Sequence, residues 1–213
     1  MGRTELVFIL DRSGSMAGRE SDTIGGMNAV LEEHRHAEGE TNVSIVLFDH
    51  VCQVLHDRTP IQRVAPLTAN DYWVRGCTAL LDAVGGGIKH IKRVQKDLDK
   101  SDRADKVIFV ITTDGLENAS RFYDYAKVKR LIEKRQDKGW EFLFLGANID
   151  ATKEAGRIGI KADRAETFIN DGAGQCAMYQ SVAMATMSMR EAPTTRIGDG
   201  WKERILKDRK GRA

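Results

Sequence analysis

Leu6-Val7-Phe8-Ile9-Leu10-Asp11-Arg12-Ser13-Gly14-Ser15 is the stretch of sequence that decides the fold. Its first half is an apolar run without alternation, which indicates a strand buried on both faces of a sheet. A carboxylate and two hydroxyls follow at once, at positions 11, 13 and 15. Parallel sheets of α/β proteins bind their ligands at this carboxyl edge. Oxygen ligands with only one carboxylate suit a hard cation, such as Mg²⁺, that keeps other positions open. The stretch therefore predicts a parallel sheet with a cation site at its edge.

Two later segments place further oxygen ligands at the ends of predicted elements. Gly76-Cys77-Thr78 precedes an apolar helical pattern, and Thr112-Thr113-Asp114-Gly115 follows a second buried-strand run, Val107 to Ile111. A lone Asp-x-Ser-x-Ser is more often a helix cap or a turn. The three segments together, each beside the appropriate element, favour the metal interpretation.

At these residues the chain resembles a von Willebrand factor type A (VWA) domain, and the three segments resemble its metal-ion-dependent adhesion site (MIDAS). That family's pattern is Asp-x-Ser-x-Ser, then a distant Thr, then a distant Asp. In this chain the pattern falls on Asp11, Ser13, Ser15, Thr78 and Asp114. The resemblance covers roughly residues 4 to 189, including Phe48-Asp49 and the stretches 78–84 and 145–148. It implies a Rossmann-like α/β fold, which is a doubly wound, mostly parallel six-stranded sheet with one antiparallel edge strand and helices on both faces.

The resemblance also implies how the site works. Ser13 and Ser15 would be direct ligands of Mg²⁺, or of Mn²⁺ or Ca²⁺, and Thr78 would bind directly or through water. Asp11 and Asp114 would act partly through water and through hydrogen bonds to the hydroxyls. The open position would accept an Asp or Glu side chain from a partner protein. The chain is therefore expected to be a binding module and not an enzyme, with no catalytic residue. Bacterial relatives often act beside MoxR-type AAA+ ATPases or in stress-related complexes, so such a partner is expected by analogy alone.

Strand and helix patterns alternate along the whole chain. The predicted order is β-α-β-β-α-β-α-β-α-β-α, which gives a mostly parallel sheet. The tight turn at Asp49-His50 allows only an antiparallel neighbour, predicted at residues 51 to 55. An edge strand is expected at Thr167 to Ile169. Gly85-Gly86-Gly87 is costly inside the longest helix, and close packing against the sheet is the expected reason.

Composition excludes several classes of function. The chain has 213 residues, which suit one large domain, and 41% of them are hydrophobic. Its 33 basic and 31 acidic residues give a net charge of only +2, which does not favour nucleic acid or membranes. No secretory leader is recognisable at the start, and no apolar stretch approaches the ~20 residues that span a bilayer. Three scattered cysteines suit a reducing compartment. The chain is therefore expected to be cytoplasmic, in the intracellular bacterial branch of the family.

The C-terminal residues break the periodic pattern. We divide the chain into a type A domain, residues 1–190, and a basic tail, residues 191–213, in which Pro193 and Gly198-Asp199-Gly200 break the chain. Residues 196 to 213 hold seven Lys or Arg against three Asp or Glu. This tail is expected to be dispensable for folding. Trp201, with Ile205 and Leu206, either docks into a partner's groove or packs back onto its own domain, and the sequence does not separate the two. Contact of the tail with RNA is a weaker alternative than a solvated C-terminus.

An enzymatic alternative is a Mg²⁺-dependent phosphohydrolase that uses Asp11 as its nucleophile. Such enzymes usually carry a second Asp two residues on, where Ser13 stands here. No credible base for proton transfer lies near the motif, and the sequence contains no phosphate-binding Gly-x-x-x-x-Gly-Lys-Ser/Thr loop. The alternative is therefore the weaker of the two.

Residues beside the motif leave further alternatives open. Arg12 either steers an acidic partner or is solvated. Asp49, Glu117 and Asn118 could border the site but are more often ordinary surface residues. A buried, inert thiol is favoured over a redox switch for Cys77. The pair His34 and His36 lies in a charged helix end and is expected to be solvated.

Overall fold

The structure, a computed structural model, describes residues 2–192 and 197–212. Its centre is a six-stranded sheet. The strands are β1 (Thr4–Asp11), β2 (Thr41–Phe48), β3 (Cys52–Pro60), β4 (Lys106–Thr113), β5 (Glu141–Ala147) and β6 (Ala165–Phe168), in the spatial order β3-β2-β1-β4-β5-β6. Only β3 is antiparallel to its neighbour. The predicted fold class is confirmed, including the antiparallel edge strand.

Helices cover both faces of the sheet. They are α1 (Glu20–His36), α2 (Leu80–Asp97), α3 (Tyr125–Gln136), α4 (Ala151–Arg157), α5 (Gly172–Glu191) and α6 (Glu203–Lys210). Successive side chains of a strand point to opposite faces. Leu6, Phe8 and Leu10 of β1 accordingly pack in one core cluster with residues of α1 and α5. Val7 and Ile9 pack in the other, with residues of α2, α3 and α4. Burial on both sides explains why the sequence of β1 does not alternate.

Two of the three consecutive glycines in α2 are at close-packed positions. A Cβ added to Gly87 would lie 3.2 Å from Cδ1 of Ile9 in the sheet. A Cβ at Gly85 would overlap the ring of Tyr123, at 2.4 Å, while one at Gly86 would meet nothing within 4 Å. The expectation of packing against the sheet thus holds for Gly87 alone.

The segment after residue 196 is packed against the domain. Trp201 is 3% exposed and Ile205 is 1% exposed, and both belong to the core cluster that contains α1 and α5. The indole Nε1 of Trp201 donates a hydrogen bond to the carbonyl oxygen of Asp163, at 3.1 Å. Of the two alternatives for Trp201, the structure shows the one in which it packs back onto its own domain. The sequence argument that this segment is too polar to bury much surface was wrong, because two large apolar residues suffice to anchor α6.

The domain boundary at residue 190 stays a prediction, and Pro193 lies outside the described residues. None of the helices that the structure describes is both long and apolar enough to cross a bilayer.

Candidate metal centre

The candidate site lies where the ends of β1 and β4 meet the start of α2. These two strands are adjacent and parallel, so Asp11 ends one of them beside Thr113 at the end of the other. The Asp11 carboxylate is 1% exposed. One of its oxygens accepts a hydrogen bond from the Ser13 backbone N–H at 2.7 Å, and the other accepts one from the Thr113 hydroxyl at 2.6 Å. Both contacts fix the loop that carries the two serines.

The five residues of the motif converge on one space. The hydroxyl oxygens of Ser13 and Ser15 are 3.1 Å apart, and the Ser15 hydroxyl donates to the Asp114 carboxylate. A Cβ built on Gly115 would lie 3.6 Å from the hydroxyl oxygens of both Ser15 and Thr78. Neighbouring ligands of an octahedral Mg²⁺ at ~2.1 Å would be separated by about 3.0 Å, close to the spacing of the two serines. Two carboxylates and three hydroxyls therefore fit a hard divalent cation.

One side of this space is open. Ser13, Thr78 and Asp114 are buried, whereas Ser15 is exposed. The described residues contain no group of three or more His, Cys, Asp or Glu side chains placed to hold a metal ion. The candidate donors at this site are three hydroxyls and two carboxylates.

Burial makes the charged forms of the two carboxylates, Asp11 and Asp114, less favourable. It raises the pKa of Asp11, although hydrogen bonds from Ser13 and Thr113 oppose the shift. Burial also raises the pKa of Asp114, whose hydrogen bond from Ser15 opposes the shift while the charge of Asp11 adds to it. Two like charges in one buried site favour a counter-ion. A divalent cation would balance both charges.

Asn118, which is exposed, and Glu117, which is half-buried, hydrogen-bond the segment that carries Thr78. The Asn118 side-chain oxygen accepts from the Thr78 backbone N–H at 2.8 Å, and the Asn118 N–H donates to the Thr78 carbonyl at 3.0 Å. Glu117 accepts from the backbone N–H of Leu81, in the first turn of α2, at 2.9 Å. Together they fix the start of α2 against the loop after β4.

Asn170 and Gln175 were missed by the sequence analysis. The Asn170 amide donates to the second oxygen of Asp114 at 3.0 Å, and Gln175 donates to Asn170 at 3.0 Å. The Thr23 hydroxyl of α1 in turn donates to Gln175, at 3.2 Å. The only local signal for Asn170 is its position just after β6, at the same edge of the sheet. These contacts connect Asp114 with the first turn of α5.

Arg12 is neither solvated nor positioned to steer a partner, so both expectations were wrong. Its side chain is fully buried. Its Nε donates to Asp49 at 2.9 Å and one Nη donates to Gln53 at 2.7 Å. Asp49 is also fully buried, and its carboxylate accepts hydrogen bonds from the Nε atoms of Arg12 and Arg75, each at 2.9 Å, which offset the cost of burial. Burial alone would raise the pKa of Asp49, but these contacts and the Val51 N–H lower it.

Cys77 is exposed, so the expectation of a buried thiol was also wrong. The backbone turns sharply at Gly76, whose φ is +67°, and this turn directs Thr78 toward the site while Cys77 faces solvent. Cys52 and Cys176 are likewise free and exposed.

The six-stranded sheet with its one antiparallel edge strand is similar to the VWA domains among solved structures. Neither a family model nor a curated protein matches the sequence. Among solved structures, the vWF domain of the pilus tip protein Mfa5 from Porphyromonas gingivalis superposes with a TM-score of 0.64 at 11% identity, covering 93% of this chain and 99% of that domain. The pilus adhesin SpaC from Lactobacillus rhamnosus GG gives 0.66 at 14% identity, covering 88% of this chain and 30% of that one.

Proximal thread matrix protein 1 from the mussel byssus also has this fold, with a TM-score of 0.60 at 14% identity over 87% of this chain. This chain spans 46% of the mussel protein's length. A further structure of the mussel protein has a zinc-occupied MIDAS motif and gives a TM-score of 0.59 at 15% identity. At these identities the likeness establishes the fold alone.

Proposed function

We propose that this chain is a metal-dependent protein-binding module. Its divalent cation would be held by Asp11, Ser13, Ser15, Thr78 and Asp114, and an acidic residue of a partner would complete the coordination. The observation that carries this proposal is the convergence of these side chains on a space that is open at Ser15. The zinc-occupied MIDAS of a mussel protein with the same fold is a further support.

The residues of the site and the side chains that hold them have separate roles in this proposal. Asp11 holds the serine loop through the Ser13 N–H, and Thr113 holds Asp11. Asn118 positions Thr78, and Asn170 positions Asp114. When bound, the cation supplies a Lewis-acidic position for a carboxylate. Because hydroxyl ligands are neutral, they leave that position electrophilic, so acidic ligands are selected.

The surface around the site is suited to a protein ligand. Large apolar side chains are exposed in the loops at this edge of the sheet: Val51 is 44%, Trp73 42%, Leu116 54% and Phe122 77% exposed. Exposed apolar groups beside a polar centre are typical of protein interaction surfaces.

The alternative of an Asp11 nucleophile receives no support from the geometry. Both carboxylate oxygens of Asp11 already accept hydrogen bonds, and its side chain is buried. A carboxylate nucleophile must reach its substrate, and the burial of Asp11 at 1% exposure opposes this. We therefore propose that the chain has no hydrolase activity. Mg²⁺-dependent turnover of a phosphoester that Asp11→Asn abolishes would contradict this.

A cytoplasmic location and a partner of the MoxR-type AAA+ class, or a stress-related complex, remain proposals. The free state of all three cysteines in the described part of the chain is compatible with a reducing compartment. The printed names of the similar structures refer to pili and to a mussel byssus, and these settings belong to those proteins.

The first prediction concerns the metal itself. Titration calorimetry with MgCl₂ or MnCl₂ should show one site in the wild type. The double variant Ser13→Ala/Asp114→Ala removes one hydroxyl and one carboxylate, so its affinity should fall by at least about tenfold, as when outer partners of a metal ligand are lost. A matched control, Ser188→Ala/Asp137→Ala, changes exposed residues of the same types outside the motif. Equal metal binding by the motif variant and the wild type would exclude this site.

A second measurement tests whether the bound metal accepts a carboxylate from outside the protein. Water-proton relaxation of the Mn²⁺-loaded protein reports the water molecules that remain on the ion. Acetate should displace such water and lower the relaxation enhancement, and EDTA should abolish the effect. An enhancement that acetate does not change would show that no position is open to a carboxylate.

A further inference from the structure

A second recognition point lies beside the candidate metal centre. Trp73 and Arg75, in the loop before α2, form what we call the Trp73–Arg75 platform. The Trp73 side chain is 42% exposed, and the Arg75 guanidinium carbon is 4.5 Å from the centre of its ring. Cation–π contacts occur within ~6 Å of a ring centre. The platform therefore offers an aromatic surface and a positive charge to solvent.

Arg75 is held in place before any ligand arrives. Its backbone N–H donates to the Arg12 carbonyl at 2.9 Å, and its Nε donates to Asp49 at 2.9 Å. The guanidinium has five N–H donors, of which Nε supplies one. The two Nη groups have no hydrogen-bond partner among the described residues, and the side chain is 41% exposed. A fixed, planar fork of this kind binds carboxylates with two parallel hydrogen bonds.

The two arginines at the platform have few hydrogen-bond partners. Arg12 and Arg75 share one carboxylate, that of Asp49. Gln53, which accepts from Arg12, is neutral. The second Nη of Arg12 is buried and lacks a partner, and its guanidinium carbon lies 5.0 Å from the centre of the Trp73 ring. Asp49 is the only carboxylate among the described side chains that these two arginines hydrogen-bond, so the exposed Nη groups of Arg75 remain available to an incoming anion.

The platform is close to the metal site. The Gly76 carbonyl accepts from the Gly14 N–H, at 3.1 Å, within the serine loop. Arg75 precedes Thr78 by three residues, so their Cα atoms are at most about 11 Å apart. An extended segment covers that distance with roughly two to four residues. One partner segment can therefore reach both points.

We propose that the Trp73–Arg75 platform binds a second carboxylate of the partner segment, while the first occupies the cation. This inference rests on the proposed function for the first carboxylate. The partner would be an acidic segment with two Asp or Glu residues roughly two to four positions apart. An apolar residue between them would pack on the indole of Trp73. Arg75 is thus a specificity-determining residue, because a single acid would use the cation alone.

Two fluorescently labelled peptides with blocked ends test the proposal. One contains a single Glu and the other contains two Glu separated by two residues, with Leu and Gly elsewhere. Binding is measured by anisotropy at saturating Mg²⁺ for wild type, Arg75→Gln and the control Arg130→Gln, which neutralises an exposed arginine of α3. Arg75→Gln should weaken the two-Glu peptide by about tenfold or more, the contribution of a hydrogen bond to a charged group. It should leave the one-Glu peptide and the Mg²⁺ affinity unchanged.

Tryptophan emission gives an independent measure of where the peptide binds. Trp140 is 8% and Trp201 is 3% exposed, so a change in emission on binding of the two-Glu peptide reports Trp73. Equal affinity of wild type and Arg75→Gln for the two-Glu peptide would overturn the proposal. So would the absence of any binding of that peptide to the wild type.

A repeat in EDTA separates the two proposals. If binding depends on Arg75 but not on the metal, the platform stands and the proposed function fails. If both peptides need Mg²⁺ and neither responds to Arg75→Gln, the proposed function stands and the platform fails.

Discussion

His34 is buried between α1 and α5, where the sequence predicted a solvated side chain. Its Nε2 lies 2.8 Å from the hydroxyl of Thr186, which itself donates to the carbonyl of Val182 at 2.8 Å. The ring must therefore donate from Nε2, and Nδ1 accepts from Arg190 at 2.8 Å. We assign the neutral tautomer on this hydrogen-bond network. Burial, and then the charge of Arg190, lower the pKa of His34 to about 3.

This arrangement predicts a dependence of stability on pH. Unfolded His34 binds a proton near its ordinary pKa of 6.5, whereas the folded side chain binds one only near 3. The stability that the neutral, buried His34 contributes is thus fully present above pH 6.5 and is lost as the pH falls toward 3. The free energy of unfolding should fall by up to about 1.4 kcal/mol per pH unit from this group alone.

Urea unfolding of wild type and His34→Gln at a series of pH values measures this contribution. The variant should be less stable at pH 7, and the difference should narrow as the pH falls. His36→Gln is the matched control, because the His36 side chain is 77% exposed. A constant difference between wild type and His34→Gln across the pH range would show that His34 does not titrate in this way.

Substitutions of Gly76 and Cys77, the two residues before Thr78, should have different effects on metal affinity. Cys77 is exposed and its thiol has no role in the proposed site, so Cys77→Ser should retain wild-type metal affinity. Gly76 has a positive φ of +67°, and a Cβ there would lie 2.2 Å from Nδ1 of His50. Gly76→Ala should therefore shift the loop and weaken metal binding. Calorimetry on both variants measures their metal affinities, and circular dichroism checks that they fold. Loss of metal binding in Cys77→Ser alone would give the thiol a role after all.

At the scale of elements, α6 should stabilise the domain. It packs against α5 and β6, and Trp201 and Ile205 are buried there. Truncation after Arg190 should lower the melting temperature by ~4 °C or more, since for a domain of this size that shift corresponds to about 1 kcal/mol or more. Trp201→Ala should also lower it, by roughly 6–20 °C, because replacing a buried Trp by Ala costs about 3–5 kcal/mol and each kcal/mol shifts the melting temperature by about 2–4 °C.

Thermal unfolding with Lys207→Ala as the control tests this prediction, since Lys207 is exposed on the same helix. An unchanged melting temperature in both Trp201→Ala and the truncated chain would restore the view of a dispensable tail.

The elements and the motif could be predicted from sequence because their signals are local. The apolar runs of β1 and β4 report burial on two faces, and the spacing of Asp11, Ser13 and Ser15 lies within five residues. Arg12 could not be placed, because its environment depends on Asp49 and Gln53 in another part of the chain. The same holds for Asn170, whose partner Asp114 is 56 residues away. Local patterns do not record such pairings.

For the whole molecule, the strand order explains where the site lies. From β1 the chain passes to β2 on one side of the sheet, and β4 lies on the other side of β1. The connections diverge at this point, which opens a crevice at the carboxyl ends of β1 and β4. Asp11 and Asp114 lie there, both buried. A divalent cation at this crevice would join loops from both halves of the sheet.

Metal binding should therefore stabilise the whole fold. A ligand that binds only the folded state adds about 2.7 kcal/mol at a concentration 100 times its Kd. For a chain of this size, that corresponds to a rise of roughly 5–10 °C in melting temperature. Thermal unfolding of the wild type in Mg²⁺ and in EDTA should show this difference.

Asp114→Asn should abolish the Mg²⁺ effect without destabilising the metal-free protein. Burial and the charge of Asp11 raise the pKa of Asp114, so its ionised form is unfavourable in the folded state when no cation balances it. A neutral amide of the same shape removes that cost and retains a group that can hydrogen-bond Ser15. In EDTA the variant should melt at the wild-type temperature or above, and Mg²⁺ should not shift it. Asp137→Asn, at an exposed position after α3, should keep the full Mg²⁺ response. A Mg²⁺ response of equal size in Asp114→Asn and the wild type would place the cation elsewhere in the molecule.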